Sequence, residues 1–297
     1  MLFRSFVLGS RKDNRMSESK VPLVIYHSTC QDGFTAAWAC WKAHPDWEFY
    51  PGVYGDPPPD VTGRKVYMLD FSYKYHVLCE MSLQAESILI LDHHKTAEAD
   101  LKATLPINIT ARFDMEKSGA RLAWEYFHPD TNIPSIVKFV EDRDLWRFSL
   151  NDTKNITAWL FAQDYKFDVW DDADRQITWD AHEAWLAGYA ISQKQAKDVA
   201  ELCEKKFRYT IGGHDVWCVN VPYTLASDCG QLLGKGELFA ASVYYDGEGF
   251  VFSLRSDDNG MDVSEIAKQY GGGGHKHAAG FKLPSPLILI DPKKVGL

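Results

Sequence analysis

Three short apolar runs punctuate the first half of the chain, and each gives way to acidic or imidazole side chains. Residues 21–26 (VPLVIY) run into His27, Cys30, Asp32 and Gly33. Residues 66–69 (VYML) end in Asp70, and residues 87–91 (SILIL) end in Asp92-His93-His94. Runs of this length and composition predict buried strands. Helical stretches are predicted over 34–43 and 75–85, over a segment capped by Ser118 and reaching Phe127, and over 134–141 with Pro134 in its first turn. Strands alternating with helices predict a parallel sheet covered on both faces. Such sheets bind ligands at the carboxyl ends of their strands. His27, Asp32, Asp70, Asp92, His93 and His94 are therefore expected at one sheet edge.

The pattern then changes twice. From 151 to 208 glycine is scarce and helix formers dominate, notably at 180–186 and 192–205, which predicts a helical linker. Its early aspartates, Asp164, Asp168, Asp171, Asp172 and Asp174, are expected to face solvent. From 209 to 297 strands are expected at 216–221, 240–245, 249–255 and 281–283, with Asp246-Gly247-Glu248 as a hairpin turn. A helix over 262–270 is expected to be capped by Asp262, with Glu265 completing a capping box. It ends at a glycine run, Gly271 to Gly274, followed by His275. The expected class is α/β: a parallel-sheet catalytic domain (21–150), the helical linker (151–208) and a smaller α/β domain with a mixed sheet (209–297). Residues 1–20 read as an extension; their basic and apolar positions faintly suggest an organellar leader, with an internal start at Met16 as the plainer reading.

Charge narrows the partners. The chain has 297 residues with 32 Lys plus Arg against 41 Asp plus Glu, a net charge of −9. That balance disfavours gripping long duplex DNA through its phosphates, whereas short phosphorylated ligands remain accessible if cations supply positive charge. No apolar run is long enough for a membrane-spanning helix. The six cysteines contain no C-x-x-C pair, which points to a reduced, cytoplasmic protein rather than a disulfide scaffold.

Carboxylates and imidazoles gathered at strand ends suit a divalent metal other than calcium. His27, Asp32, Asp70, His93 and Asp142 exceed what one catalytic ion with open positions requires. Two ions sharing a carboxylate would use them all. The alternatives are ordinary: a lone strand-end aspartate is commonly a turn residue, and Glu141-Asp142-Arg143-Asp144 could be a charged helix end.

The pattern resembles the DHH phosphoesterase superfamily, whose triplet stands here as Asp92-His93-His94. The first motif is similar to His27–Gly33, the second to Asp70 and the fourth to Asp142 within VEDRDLW. The GGGGH-x-x-AAG stretch resembles the signature of the DHH-associated domain. The resemblance implies a phosphodiesterase acting on a short single-stranded oligonucleotide or a small cyclic or phosphorylated nucleotide, through a water activated between two divalent ions. Mn²⁺ is the first choice, with Mg²⁺, Fe²⁺ or Zn²⁺ as others. It implies that Asp70 bridges the ions, His27 holds the first, and Asp32, His93 and Asp142 hold the second. Asp92 would orient a neighbouring ligand and His94 would face the phosphate. Arg255, Gly273, Gly274 and His275 would contact the substrate, the glycines through their backbone N–H groups. One departure stands out: the family's D-x-D-G is Cys30-Gln31-Asp32-Gly33 here. Cys30 is either a soft ligand or a small packing residue. Two other functions stay open, a polyphosphate or pyrophosphate hydrolase using Lys95, Arg255, Lys276 and Lys282, and a non-catalytic nucleotide-binding scaffold. A monomer and a homodimer are both compatible with the sequence.

Overall fold

A computed structural model describes residues 20–28 and 30–284. The leader and internal-start readings lie outside the described residues. The first domain contains β1 (Leu23–His27), α1 (Gln31–Ala43), β2 (Glu48–Gly52), β3 (Lys65–Leu69), α2 (Tyr75–Ser82), β4 (Ser87–Asp92), α3 (Lys95–Asp100) and β5 (Ile109–Phe113). α4 (Gly119–Phe127) and α5 (Ser135–Asp144) follow, and then the three helices α6 (Thr153–Leu160), α7 (Phe167–Trp179) and α8 (His182–Cys203).

The five strands form one parallel sheet in the order β2-β1-β3-β4-β5. The three strands legible in the sequence, β1, β3 and β4, are the interior ones. Interior strands of a parallel sheet are buried on both faces, so they read as continuous apolar runs. The edge strands β2 and β5 carry mixed residues, and β2 includes Pro51, whose missing N–H is tolerated at an edge. One sheet face is covered by α1, α4 and α5, with Trp38, Trp124 and Val140 in the core. Leu160 of α6 and Trp170 of α7 enter the same core. On the other face Leu78 and Met81 of α2 pack against Ile25, Met68 and Ile90.

The two helices expected at 180–186 and 192–205 are one continuous helix, α8. Gly188 in its middle lets it approach α6 closely: a Cβ there would lie 1.8 Å from the Asn155 carbonyl oxygen. Helix propensity favours alanine over glycine by about 1 kcal/mol, but this overlap with backbone outweighs it. Gly188→Val is expected to lower stability by about 1–3 kcal/mol, read as a fall in the midpoint of chemical denaturation with unchanged slope.

The second domain holds β6 (Phe207–Ile211), β7 (His214–Asn220), α9 (Tyr223–Gly234), β8 (Ala240–Tyr245), β9 (Gly249–Arg255), α10 (Val263–Lys268), β10 (Gly273–Gly274) and β11 (Ala278–Pro284). Its six-stranded sheet runs β10-β11-β9-β8-β7-β6. It is mixed, because β7 and β8 are parallel through the α9 crossover while the other pairs are antiparallel. The expected hairpin forms, with Asp246 Oδ1 accepting from the Glu248 and Gly249 N–H groups and Gly247 at φ +102°. Asp262 caps α10 by accepting from the Ser264 N–H. The expected capping box does not form, because Glu265 turns to Lys268. No described helix is long and apolar enough to cross a membrane.

Candidate metal centre and interdomain cleft

The ends of β1, β3 and β4 converge with the first turn of α1, as the apolar runs predict. Asp70 is the centre of this convergence. It follows β3 in the left-handed region (φ 54°), which an aspartate tolerates better than most residues. The turn is packed tightly: a Cβ on Gly119 would lie 2.4 Å from the Asp70 Cβ. Asp70 is 1% exposed. Its Oδ2 lies 3.3 Å from His27 Nδ1, and its Oδ1 lies 3.1 Å from His93 Nε2. One carboxylate therefore addresses two separate groups of side chains.

On one side the candidate ligand atoms of His27, Cys30 and Asp70 lie within 4.8 Å of one another. On the other side those of Asp32, His93 and Asp144 do the same. Asp32 is held by α4, accepting from the Gly119 and Ala120 N–H groups at 2.6 and 3.0 Å. A helix N-terminus favours such an anion. Burial, followed by the charges of Asp70 and Asp144, still pushes the Asp32 carboxyl well above the usual range. Burial opposes a charge on His93, but the Asp70 hydrogen bond and the Asp144 charge override it and raise the imidazole to about 10. With Asp32 and Asp144 both raised and a proton held this tightly on His93, the cluster is short of positive charge. Divalent cations fit this donor set on charge and on ligand type.

The structure corrects the fourth motif. Asp142 is buried, but its carboxylate is occupied by the chain around it. It accepts from the Ser149 N–H and hydroxyl (2.8 and 2.6 Å), the Leu150 N–H (3.2 Å) and the Thr153 hydroxyl (2.5 Å). It ties together the link from α5 to α6. Asp144 takes the place expected for Asp142, with Oδ2 3.6 Å from His93 Nε2. Residues two apart on a helix face different ways, so only one could reach the cluster.

Asp92 is bonded to both residues that follow it. Its Oδ1 accepts from the His93 N–H at 2.7 Å and the His94 N–H at 3.2 Å, and pairs with His94 Nδ1 at 2.7 Å. This leaves His94 Nε2 for the cleft. Burial works against a charged His94, yet Asp92 raises its pKa. His275 of the second domain stacks on His94, with centroids 4.6 Å apart at 23°, and lies 4.5 Å from the His93 ring. Burial, then the neighbouring His94 and His93, pushes the His275 pKa well down.

The glycines play a different part from the one expected. The Gly274 N–H donates to the Thr96 hydroxyl of α3 at 2.9 Å, and a Cβ on Gly273 would lie 2.6 Å from that oxygen. Gly273 and Gly274 thus dock the second domain on the first. The Gly274 N–H is taken, so it is not free for an anion. Lys95 forms an ion pair with Asp262 across the same seam, and Arg143 meets both Asp228 oxygens at 3.1 and 3.2 Å.

Arg255 ends β9 beneath α9. It donates to the hydroxyls of Ser227 (2.6 Å) and Ser253 (2.9 Å) and to the Leu254 carbonyl (2.8 Å). Among the described residues no carboxylate pairs with it. Burial, then Arg143, pulls its guanidinium down to about 10. Tyr54, which follows β2, was not singled out from the sequence. Its ring stands edge-on to His27 at 5.0 Å and tilts against Phe71 at 4.7 Å, and the residue remains 49% exposed.

A parallel-sheet domain bearing this carboxylate–histidine cluster is joined to a mixed-sheet domain that reaches over it. Residues 224–292 match the DHHA1 domain family. The fold is shared with a DHH domain described as a member of the S1p family of ribosomal proteins (TM-score 0.56, 14% identity, 88% of this chain and 82% of that one). It is shared also with RecJ in complex with Mn²⁺ from Thermus thermophilus (TM-score 0.51, 14% identity, 88% of this chain and 49% of that one). In sequence the chain is 28% identical to the uncharacterized protein R106 of Acanthamoeba polyphaga mimivirus, over 91% of this chain and 69% of that protein.

Proposed function

We propose that the chain is a metal-dependent phosphodiesterase that cleaves a short single-stranded oligonucleotide or a small nucleotide in the cleft between its domains. The observation that carries this reading is Arg255, a half-buried guanidinium with no carboxylate partner among the described residues, on the domain that lays His275 over the acidic cluster. Guanidinium geometry matches a phosphate with two parallel hydrogen bonds. Divalent ions held by His27, Cys30, Asp70, Asp32, His93 and Asp144 would supply Lewis-acidic charge and an activated water. Mn²⁺ suits the oxygen-rich donors, in keeping with the ion named for the Thermus RecJ. The chain's own groups do the rest. Asp92 holds Nδ1 of His94, which directs the Nε2 proton toward a phosphate oxygen or the leaving group. Arg255 orients the phosphate, and His275 helps exclude water from above.

A nucleotide is favoured over polyphosphate by two further observations. Tyr54 offers an exposed aromatic face beside His27, suited to stacking a base. Two of the four basic residues that a polyanion would need are already paired, Lys95 with Asp262 and Glu265, and Lys282 with Asp246 and Glu248. The test is Mn²⁺-dependent hydrolysis of a two-nucleotide RNA, with short polyphosphate in parallel. Cleavage of the dinucleotide is expected, and Arg255→Gln should lower kcat/KM by about 10²-fold, the loss of a charged phosphate contact. Activity on polyphosphate alone would overturn the nucleotide reading. No activity on either, with metal bound, would favour a binding scaffold.

A further inference from the structure

The single departure in the first motif falls on one side of the metal centre only. His27, Cys30 and Asp70 offer an imidazole, a thiol and one carboxylate oxygen. Asp32, His93 and Asp144, with the second oxygen of Asp70, offer three carboxylates and one imidazole. The two donor sets therefore differ in softness while sharing Asp70. Thiolate ligands select Zn²⁺ and Fe²⁺, whereas carboxylate-rich sites suit Mn²⁺ and Mg²⁺.

Cys30 is also poorly explained as a packing residue. The fully buried Cys40, Cys218 and Cys229 lie in apolar clusters. Cys30 instead stands at the N-cap of α1 without capping it. Asp70, 1% exposed, directs Oδ2 into the same group as Cys30 and His27.

We infer that the centre is built for two different ions: a thiophilic cation such as Zn²⁺ or Fe²⁺ held by His27, Cys30 and Asp70, and Mn²⁺ or Mg²⁺ held by Asp70, Asp32, His93 and Asp144. This rests on the metal-dependent reading above. The binding step involves no redox change. The Cys30 S–H bond breaks, a sulfur–metal bond forms, and the proton passes to solvent.

The test uses the reduced, metal-stripped full chain and Co²⁺ as a spectroscopic stand-in for the thiophilic ion. One equivalent of Co²⁺ is expected to give a near-ultraviolet sulfur-to-cobalt band that survives an excess of Mn²⁺. Cys30→Ser should abolish the band and weaken Zn²⁺ binding by roughly tenfold or more. Cys30→Asp should also lack the band, and in it Mn²⁺ should displace the Co²⁺. A band unchanged in Cys30→Ser would place the thiolate elsewhere and overturn the inference. Co²⁺ bound with no band would overturn it too, while leaving a two-metal phosphoesterase intact. No metal bound at all would overturn both readings.

Discussion

Asp70→Asn is expected to lower kcat by about a thousandfold or more, the scale of losing a central charge-stabilising group, while the fold survives. The reason lies in the two directions of its carboxylate. Oδ2 addresses His27 and Oδ1 addresses His93, so one substitution weakens both donor sets. The backbone at this position is left-handed, a conformation that asparagine also tolerates. Asp32 and Asp144 meanwhile lose a like-charged neighbour. The metal-free variant should therefore unfold at a temperature close to that of the metal-free parent. Calorimetric titration with Mn²⁺ should show the loss of binding directly. A variant that still binds two ions and turns over would remove Asp70 from the bridging role.

Asp144→Ala and Asp142→Ala are expected to fail in opposite ways. Asp144 has no structural partner comparable to those of Asp142 among the described residues, and its side chain is 28% exposed beside His93. Its removal should cost about 10²-fold or more in activity and weaken metal binding, with little change in stability. Asp142 accepts four hydrogen bonds from Ser149, Leu150 and Thr153. Burial raises its acid, but those hydrogen bonds more than compensate and hold the carboxyl below the usual range. The loop it secures includes Trp146 and Phe148 at positive φ, which a bulky residue adopts only when its surroundings enforce it. Removing Asp142 should destabilise the protein by about 2–4 kcal/mol. Thermal unfolding together with metal titration separates the two variants. Equal stability loss in both, or metal loss confined to Asp142→Ala, would reverse the assignment.

The difference between these two aspartates shows where sequence reading stops. The strand-end residues were legible because each follows a continuous apolar run, and the polarity of a parallel sheet sends all such ends to one edge. Asp142 and Asp144 sit in a charged helix end, EDRD, where composition does not distinguish them. Only the packing of α5 against the sheet settles which one reaches the cluster. The glycine run was legible as a motif but not in its use, because Thr96 lies 178 residues from Gly274 in the chain. Lys95 likewise looks free in sequence and is paired with Asp262 in the fold.

The sequence by itself determined the parallel-sheet architecture, the three interior strands and the acidic and imidazole residues at their ends. These follow from local rules: the length of an apolar run, the position of a cap, and the common direction of parallel strands. Tertiary structure alone decided which aspartate joins the centre. It also decided how the second domain seats His275 over His93 and His94, and that Arg255 bonds serine hydroxyls and a carbonyl rather than a carboxylate among the described residues. Those outcomes depend on contacts between segments far apart in the chain, and no local pattern of polarity encodes them.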